Sequence, residues 1–80
     1  MLNMKVKYEA EIRGKEKKVS AKGTEYIIVR TEDERGVNNE LCDRNMDNFD
    51  YYKKGQNAIF HLHIESGKFT NVTVDEVEFI

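Results

Sequence analysis

Residues 22–43 restrict the folds open to this 80-residue chain more than any other segment does. They contain a lysine-bearing loop, a short run rich in β-branched residues, a charged turn at residues 32–36 and a returning segment that begins at Val37. A run of this kind, bounded by glycine and charged turn residues, is typical of a β-hairpin. The segment therefore predicts two neighbouring antiparallel strands in the first half of the chain.

The first strand of this hairpin has two chemically different faces. Side chains alternate between the two sides of a strand with a period of two. Ile27 and Val29 therefore share one face, which we assign to the core, while Tyr26, Ile28 and Arg30 share the other. The returning strand is weaker, because it is mostly polar. The prediction is a core-facing aliphatic pair with an aromatic ring and a guanidinium turned away from it.

The rest of the chain also alternates. Residues 4–12 predict a first strand, which can continue beyond Gly14 with a bend, since glycine within a strand often marks a bulge. Residues 57–64 predict a fourth strand. Residues 69–80 predict a fifth, and the change of phase at residues 75–76 predicts a bulge there. The order of strands places one hairpin after a long first strand and two strands at the end.

A short helix is predicted between the third and fourth strands, within residues 43–55. Asp and Asn residues can cap its start, two lysines lie in its last turn, and a glycine follows. Apolar positions in this segment recur at helical spacing, namely Met46, Phe49 and Tyr52 or Lys53. The spacing predicts that one face of the helix closes an open end of the sheet.

Length and composition indicate one soluble domain spanning residues 1–80. No apolar run approaches the ~20 residues that cross a bilayer, and the first residues lack the pattern of a signal peptide. Cys42 is the only cysteine, so no internal disulfide can form. We therefore expect a cytoplasmic protein without a membrane partner.

The charge balance limits the kind of nucleic-acid binding that is possible. The chain has 13 Lys and Arg against 15 Asp and Glu, a net charge of -2. This argues against a wholly basic nucleic-acid binder. A local basic groove is still compatible with the sequence, because the field close to a site is what attracts phosphate.

The chain resembles the five-stranded Greek-key barrel called the OB-fold across nearly its whole length. The resemblance lies in the long, bendable first strand, in KGTEYIIVRTEDERG at residues 22–36, and in the helix that ends YKKG at residues 52–55. It implies an all-β barrel with one short helix between strands 3 and 4. The polar third strand departs from the family pattern. Members of this family mostly bind single-stranded nucleic acid or oligosaccharide.

The resemblance implies a candidate surface on the second and third strands and on the loops after the first and fourth strands. Tyr26 would stack a base, and Arg30 would stack or contact phosphate. Lysines of the two loops would contact the backbone: Lys17, Lys18, Lys22 and Lys68. The expected partner is single-stranded DNA or RNA, bound weakly and with little sequence preference. Against this, loop lysines are usually only solvated, neighbouring carboxylates repel phosphate, and Tyr26 would lie in the core if the two faces of the second strand were reversed.

A protein-interaction module or accessory subunit is the alternative. Barrels of this kind leave strand edges that can pair with a partner or with a second copy of the chain. The acidic balance and the outward Ile28 and Ile59 fit this alternative as well as they fit nucleic acid.

Metal binding and catalysis have weaker support. His61, His63 and Cys42 are suitable zinc ligand types, but structural zinc normally takes four ligands, so two surface histidines are the favoured interpretation. Ser20 and Ser66 lie in predicted loops without a nucleophile motif. We expect a non-enzymatic protein with no metal and no cofactor.

Overall fold

Five strands and one short helix make up the computed structural model, which describes residues 2–67 and 70–80. Each strand overlaps one of the five segments that the sequence predicts as strands. The elements in chain order are β1 (Leu2–Val19), β2 (Glu25–Glu32), β3 (Asn38–Asp43), a 3-10 helix (Met46–Tyr51), β4 (Asn57–Ser66) and β5 (Thr70–Phe79). Within these residues, no helix combines the length and the apolar character needed to cross a membrane.

The strands close into a barrel in the order β1-β2-β3-β5-β4. The long β1 serves two neighbours, because its first half pairs with β4 and its second half pairs with β2. Its register against β2 shifts between Ile12 and Gly14. The barrel is closed by a parallel contact in which Cys42 of β3 pairs with Thr73 of β5. The predicted all-β barrel with a helix between strands 3 and 4 is confirmed.

Both predicted bulges are present. The shift at Gly14 lies in the middle of β1, where the strand changes partners. In β5, Leu62 of β4 pairs with Val74 while His61 pairs with Glu76, so Asp75 is the additional residue. A bulge bends a strand and increases its twist. These two bends let long strands curve around a small barrel.

The core lies inside the barrel and follows the predicted faces. Ile27 and Val29 have no solvent exposure, which confirms the assignment of the β2 faces. The buried cluster contains members from every strand and from the segment after the helix: Ile12, Ile27, Val29, Leu41, Tyr52, Ala58, Phe60, Leu62 and Val74. Met46 and Phe49 of the 3-10 helix pack against this cluster and close one end of the barrel.

The helix is shorter than predicted. Asp43 is buried at the end of β3 and accepts a hydrogen bond from the Asn45 N–H, so it lies before the helix and is not its cap. Asn45 takes that position, and its side chain accepts a hydrogen bond from the Asp47 N–H. Lys53 and Lys54 lie beyond the last helical turn, and Gly55 follows with a φ of 90°. The predicted range of residues 43–55 was too long, because packing of Asp43 fixes where the helix can begin.

Candidate nucleic-acid interface

The second half of β1 together with β2 and β3 forms one continuous outward surface. Residues opposite each other in an antiparallel pair point to the same side of the sheet. Tyr26 lies opposite Lys18, Ile28 lies opposite Cys42, and Arg30 lies opposite Glu40. We call this surface the Tyr26 face: Glu16, Lys18, Tyr26, Ile28, Arg30, Glu40 and Cys42. It brings together three of the predicted site residues, Tyr26, Arg30 and Lys18.

Arg30 lies flat across this face between two carboxylates. Its Nη2 is 3.0 Å from Glu16 Oε2, and its Nε is 3.6 Å from Glu40 Oε2. The guanidinium also covers Gly14, since a β-carbon at that glycine would lie 3.4 Å from Arg30 Nη1. The arginine side chain remains 50% exposed. Ion pairs this exposed contribute only ~0.2–1 kcal/mol, so a phosphate can compete for the guanidinium.

Lys17 lies on the other side of the hairpin from the Tyr26 face. It pairs with the core-facing Ile27, and its Nζ is 4.7 Å from the centre of the Phe49 ring. Lys15 lies on the same side, with its Nζ 4.1 Å from the same ring centre, and it donates a hydrogen bond to the Phe49 carbonyl. The structure therefore separates Lys17 from Lys18, although the two are adjacent in sequence.

Lys22 lies at the tip of the β1–β2 hairpin, where it is exposed. The tip is tied by hydrogen bonds from the Ser20 N–H to the Thr24 carbonyl and from the Gly23 N–H to the Ser20 carbonyl, both 2.9 Å. Gly23 has a φ of 85°, a conformation that side chains rarely adopt, so the tip needs a glycine there. The remaining predicted lysine, Lys68, lies outside the described residues.

A shallow polar depression extends the Tyr26 face beyond Arg30. It has a volume of about 550 Å³, and Arg13, Arg30, Asn38, Asn39 and Glu40 are among its lining residues. Sequence reasoning missed Arg13. The residue occupies the β1 bulge next to Gly14, and bulges commonly redirect a side chain. The predicted bulge was therefore the signal that could have identified it.

The depression carries both signs of charge. Arg13 Nη1 lies 2.5 Å from Glu11 Oε2, just as Arg30 is paired with Glu16 and Glu40. These arginines are held in place by exposed carboxylates. The positive charges of Arg13 and Arg30 are therefore fixed in position, and the paired carboxylates partly neutralise their local field. This agrees with the net negative charge of the chain.

The histidines lie on β4 among carboxylates. His61 Nε2 is 2.7 Å from Glu78 Oε2, and this contact holds the pKa of Glu78 below its usual value. Both ring nitrogens of His63 face acids, with 3.3 Å to Asp75 Oδ1 and 2.6 Å to Glu65 Oε1. The hydrogen bonds to Asp75 and Glu65 raise the pKa of His63. Across residues 2–67 and 70–80, no group of three or more His, Cys, Asp or Glu side chains is arranged to hold a metal ion.

The barrel matches a solved structure along its whole length. The crystal structure of the mitochondrial single-stranded DNA binding protein Rim1 from S. cerevisiae is similar, with a TM-score of 0.79 and 12% sequence identity over 100% of this chain and 97% of that chain. This chain has the OB-fold. No family model matches the sequence, and no curated protein sequence matches it. At this identity the likeness shows the fold, so residue roles must come from the geometry of this chain.

Proposed function

We propose that this protein binds single-stranded DNA or RNA, with little sequence preference, through the Tyr26 face. The observation that carries the proposal is the convergence of an aromatic ring, a guanidinium and an ammonium group on adjacent strands, at Tyr26, Arg30 and Lys18. Surfaces that bind single strands combine cations along the backbone path with aromatic faces for the bases. A fold shared over the full length with a protein described as single-stranded DNA binding supports the same conclusion.

Each residue has a distinct role in this proposal. The ring of Tyr26 stacks a base, which every base permits because each has a π-face. Arg30 exchanges its contacts with Glu16 and Glu40 for a phosphate or stacks on a second base. Lys18 contacts the backbone on the same face, and Lys22 does so from the hairpin tip. Because these contacts ignore base identity, the protein tolerates many sequences.

Lys17 has a different role from its neighbours. Its Nζ is close to the Phe49 ring on the other side of the hairpin, so it adds to the local positive field without reaching a strand on the Tyr26 face. Lys17→Ala should therefore weaken binding less than Lys18→Ala does. The function proposed for the protein is binding alone, without a catalysed reaction and without a cofactor.

Titration of labelled oligo-dT and oligo-U of about 16 nucleotides, the upper site size of one OB-fold, tests this proposal by fluorescence anisotropy. Binding should occur at low salt and weaken as salt is added. Each phosphate contact on a single strand contributes ~0.7 to the slope of the logarithm of the association constant against the logarithm of the salt concentration. Three contacts, from Arg30, Lys18 and Lys22, should therefore give a slope of about -2. Absence of binding to both oligonucleotides at low salt overturns the proposal.

Tyr26→Ala tests the stacking contact. Loss of one base stack costs ~1–3 kcal/mol, which weakens the affinity by about 5- to 150-fold. Tyr51→Ala is the matched control, because Tyr51 is 63% exposed, packs near Phe79 and does not belong to the Tyr26 face. Affinities that fall equally in both variants would show that Tyr26 has no special contact with the bases.

A protein-interaction module is the second candidate, and one observation favours it. In the part of the chain that the structure describes, β3 meets β5 at the single pair Cys42–Thr73, and the preceding residues of β3 have no partner on that side. A strand edge of this kind can pair with a strand from another chain. If nucleic acid does not bind, sedimentation velocity of the protein alone, compared with Asn39→Pro, shows whether β3 pairs copies of the chain.

A further inference from the structure

An apolar cleft opens into the barrel beside β3. It has a volume of about 250 Å³, and its apolar wall consists of Val6, Leu41, Leu62, Ile64 and Val72. It exists because β3 and β5 pair only at Cys42 and Thr73, within the described residues. Core-facing side chains on either side of that junction are therefore left partly open to solvent. Tyr8 contributes an aromatic ring to the same cleft.

The rim of the cleft is polar and fixed in position. Asn39 Nδ2 donates to Tyr8 Oη at 3.1 Å, and Tyr8 Oη lies 3.1 Å from Thr31 Oγ1. The Thr31 hydroxyl donates to the Asn39 carbonyl, so the Tyr8 hydroxyl must donate to Thr31. The second N–H and the Oδ1 of the Asn39 side chain have no partner among residues 2–67 and 70–80. This amide can therefore offer a donor and an acceptor to a ligand.

The cleft adjoins the Tyr26 face. Asn39 and Glu40 line both the cleft and the polar depression that contains Arg13 and Arg30. The two spaces are therefore separated only by β3. A single-stranded nucleic acid that crosses Arg30 therefore needs to cross only β3 to reach the mouth of the cleft. Arg13 and Arg30 lie beside this path and can contact its phosphates.

We propose that this cleft holds one base of the bound strand. The inference rests on the proposed function, since the base arrives as part of a strand lying on the Tyr26 face. A nucleobase has apolar faces and a polar edge, and the cleft has an apolar wall and a polar rim. The base packs against Val72, Leu62 and the ring of Tyr8, and its edge bonds to the Asn39 amide.

Photocrosslinking with oligo-dT that contains 5-iodouracil tests the position of the base, because the activated uracil couples to aromatic side chains in contact with it. Crosslinked peptides identified by mass spectrometry should contain Tyr8 as well as Tyr26. Crosslinks at Tyr26 without any at Tyr8 overturn the cleft inference and leave the proposed function standing. Absence of both crosslinks and binding overturns the two together.

Filling the cleft gives an independent result. Val72→Trp should weaken oligo-dT binding by about fivefold or more, the loss of one base contact of ~1 kcal/mol or more, and should abolish the Tyr8 crosslink while keeping the one at Tyr26. Ile59→Trp is the control, because Ile59 lies outward on β4, between the core residues Ala58 and Phe60. Unchanged affinity and an unchanged Tyr8 crosslink in Val72→Trp contradict the proposal.

A milder variant covers the case in which Val72→Trp does not fold. Asn39 is exposed, so Asn39→Ala should keep the barrel intact. It should weaken oligo-dT binding severalfold and reduce the Tyr8 crosslink, whereas Asn71→Ala, an exposed asparagine on β5, should change neither. Equal behaviour of these two variants overturns the cleft inference.

Discussion

Tyr52→Phe should destabilise the barrel although it removes a single oxygen atom. Tyr52 is 1% exposed, and its hydroxyl donates to Asp43 Oδ2 at 2.6 Å. The same buried carboxylate accepts hydrogen bonds from the Asn48 amide and the Asn45 N–H, both at 2.9 Å. This set of bonds joins the end of β3 to the 3-10 helix. Burial, followed by the bond to Asp43, raises the pKa of Tyr52, so the hydroxyl keeps its proton and remains a donor.

The expected loss follows from the kind of bond removed. A hydrogen bond to a charged group contributes ~1.5–3 kcal/mol, so we expect Tyr52→Phe to lower the free energy of unfolding by about 2 kcal/mol. The ring itself remains, stacked 6.2 Å from Phe60 and edge-on 5.6 Å from Phe79 between ring centres. An 80-residue domain has a total stability of roughly 4–12 kcal/mol, so this loss is a substantial fraction.

Urea unfolding followed by far-ultraviolet circular dichroism measures this change. The midpoint should fall without a change in the slope, and the melting temperature should fall by roughly 8–16 °C. Tyr51→Phe is the control, because Tyr51 is adjacent to Tyr52 in the sequence but is 63% exposed. This substitution should change the free energy of unfolding by less than about 0.5 kcal/mol. A Tyr52→Phe variant as stable as the control would show that the bond to Asp43 contributes nothing to stability, and would refute its role in joining the end of β3 to the segment after the helix.

Two further predictions concern charge. Glu40→Gln removes a carboxylate 3.6 Å from Arg30 and should tighten oligo-dT binding by up to about fivefold at low salt, with the gain lost at high salt. Glu76→Gln is the control, because Glu76 is exposed on β5, and it should leave the affinity unchanged. Weaker binding by Glu40→Gln would contradict the prediction. The pKa of His63 is raised in the folded protein. The contribution of His63 to stability is therefore complete at a pH below the ordinary histidine pKa of about 6.5, and it is lost as the pH rises through the raised pKa of the folded state. His63→Gln should therefore lower the urea midpoint more at about pH 5.5 than at about pH 9, and equal losses at both would argue against the contacts with Asp75 and Glu65.

Local patterns were sufficient to predict the faces of β2 and both bulges. The period of two groups Ile27 with Val29 on one face of β2, the glycine at position 14 indicates the first bulge, and the change of phase near Asp75 indicates the second. The faces of a strand and its bulges are determined by residues that are close together in the chain, so a local sequence pattern can predict them. The OB-fold follows from the order of the elements, and the structural match confirms it.

The side of the hairpin occupied by Lys17 could not be predicted in the same way. The sequence predicts that β1 can continue beyond Gly14, but residues 15–18 are all charged and show no apolar alternation, so the pattern does not indicate which side of the strand each lysine occupies. Once the strand is known to continue, the period of two separates Lys17 from Lys18. The helix start and the cleft depend on contacts between distant segments, at Asp43 with Tyr52 and at Cys42 with Thr73, which no local pattern records.

A ¹⁵N–¹H NMR titration with oligo-dT maps the binding surface residue by residue. We expect the largest amide shifts on the Tyr26 face, at Lys18, Tyr26 and Arg30, with smaller shifts at Lys17. Shifts concentrated on the far side of the barrel around His61 and Glu78, or no shifts at saturating oligonucleotide, would contradict the claim that this face binds single strands.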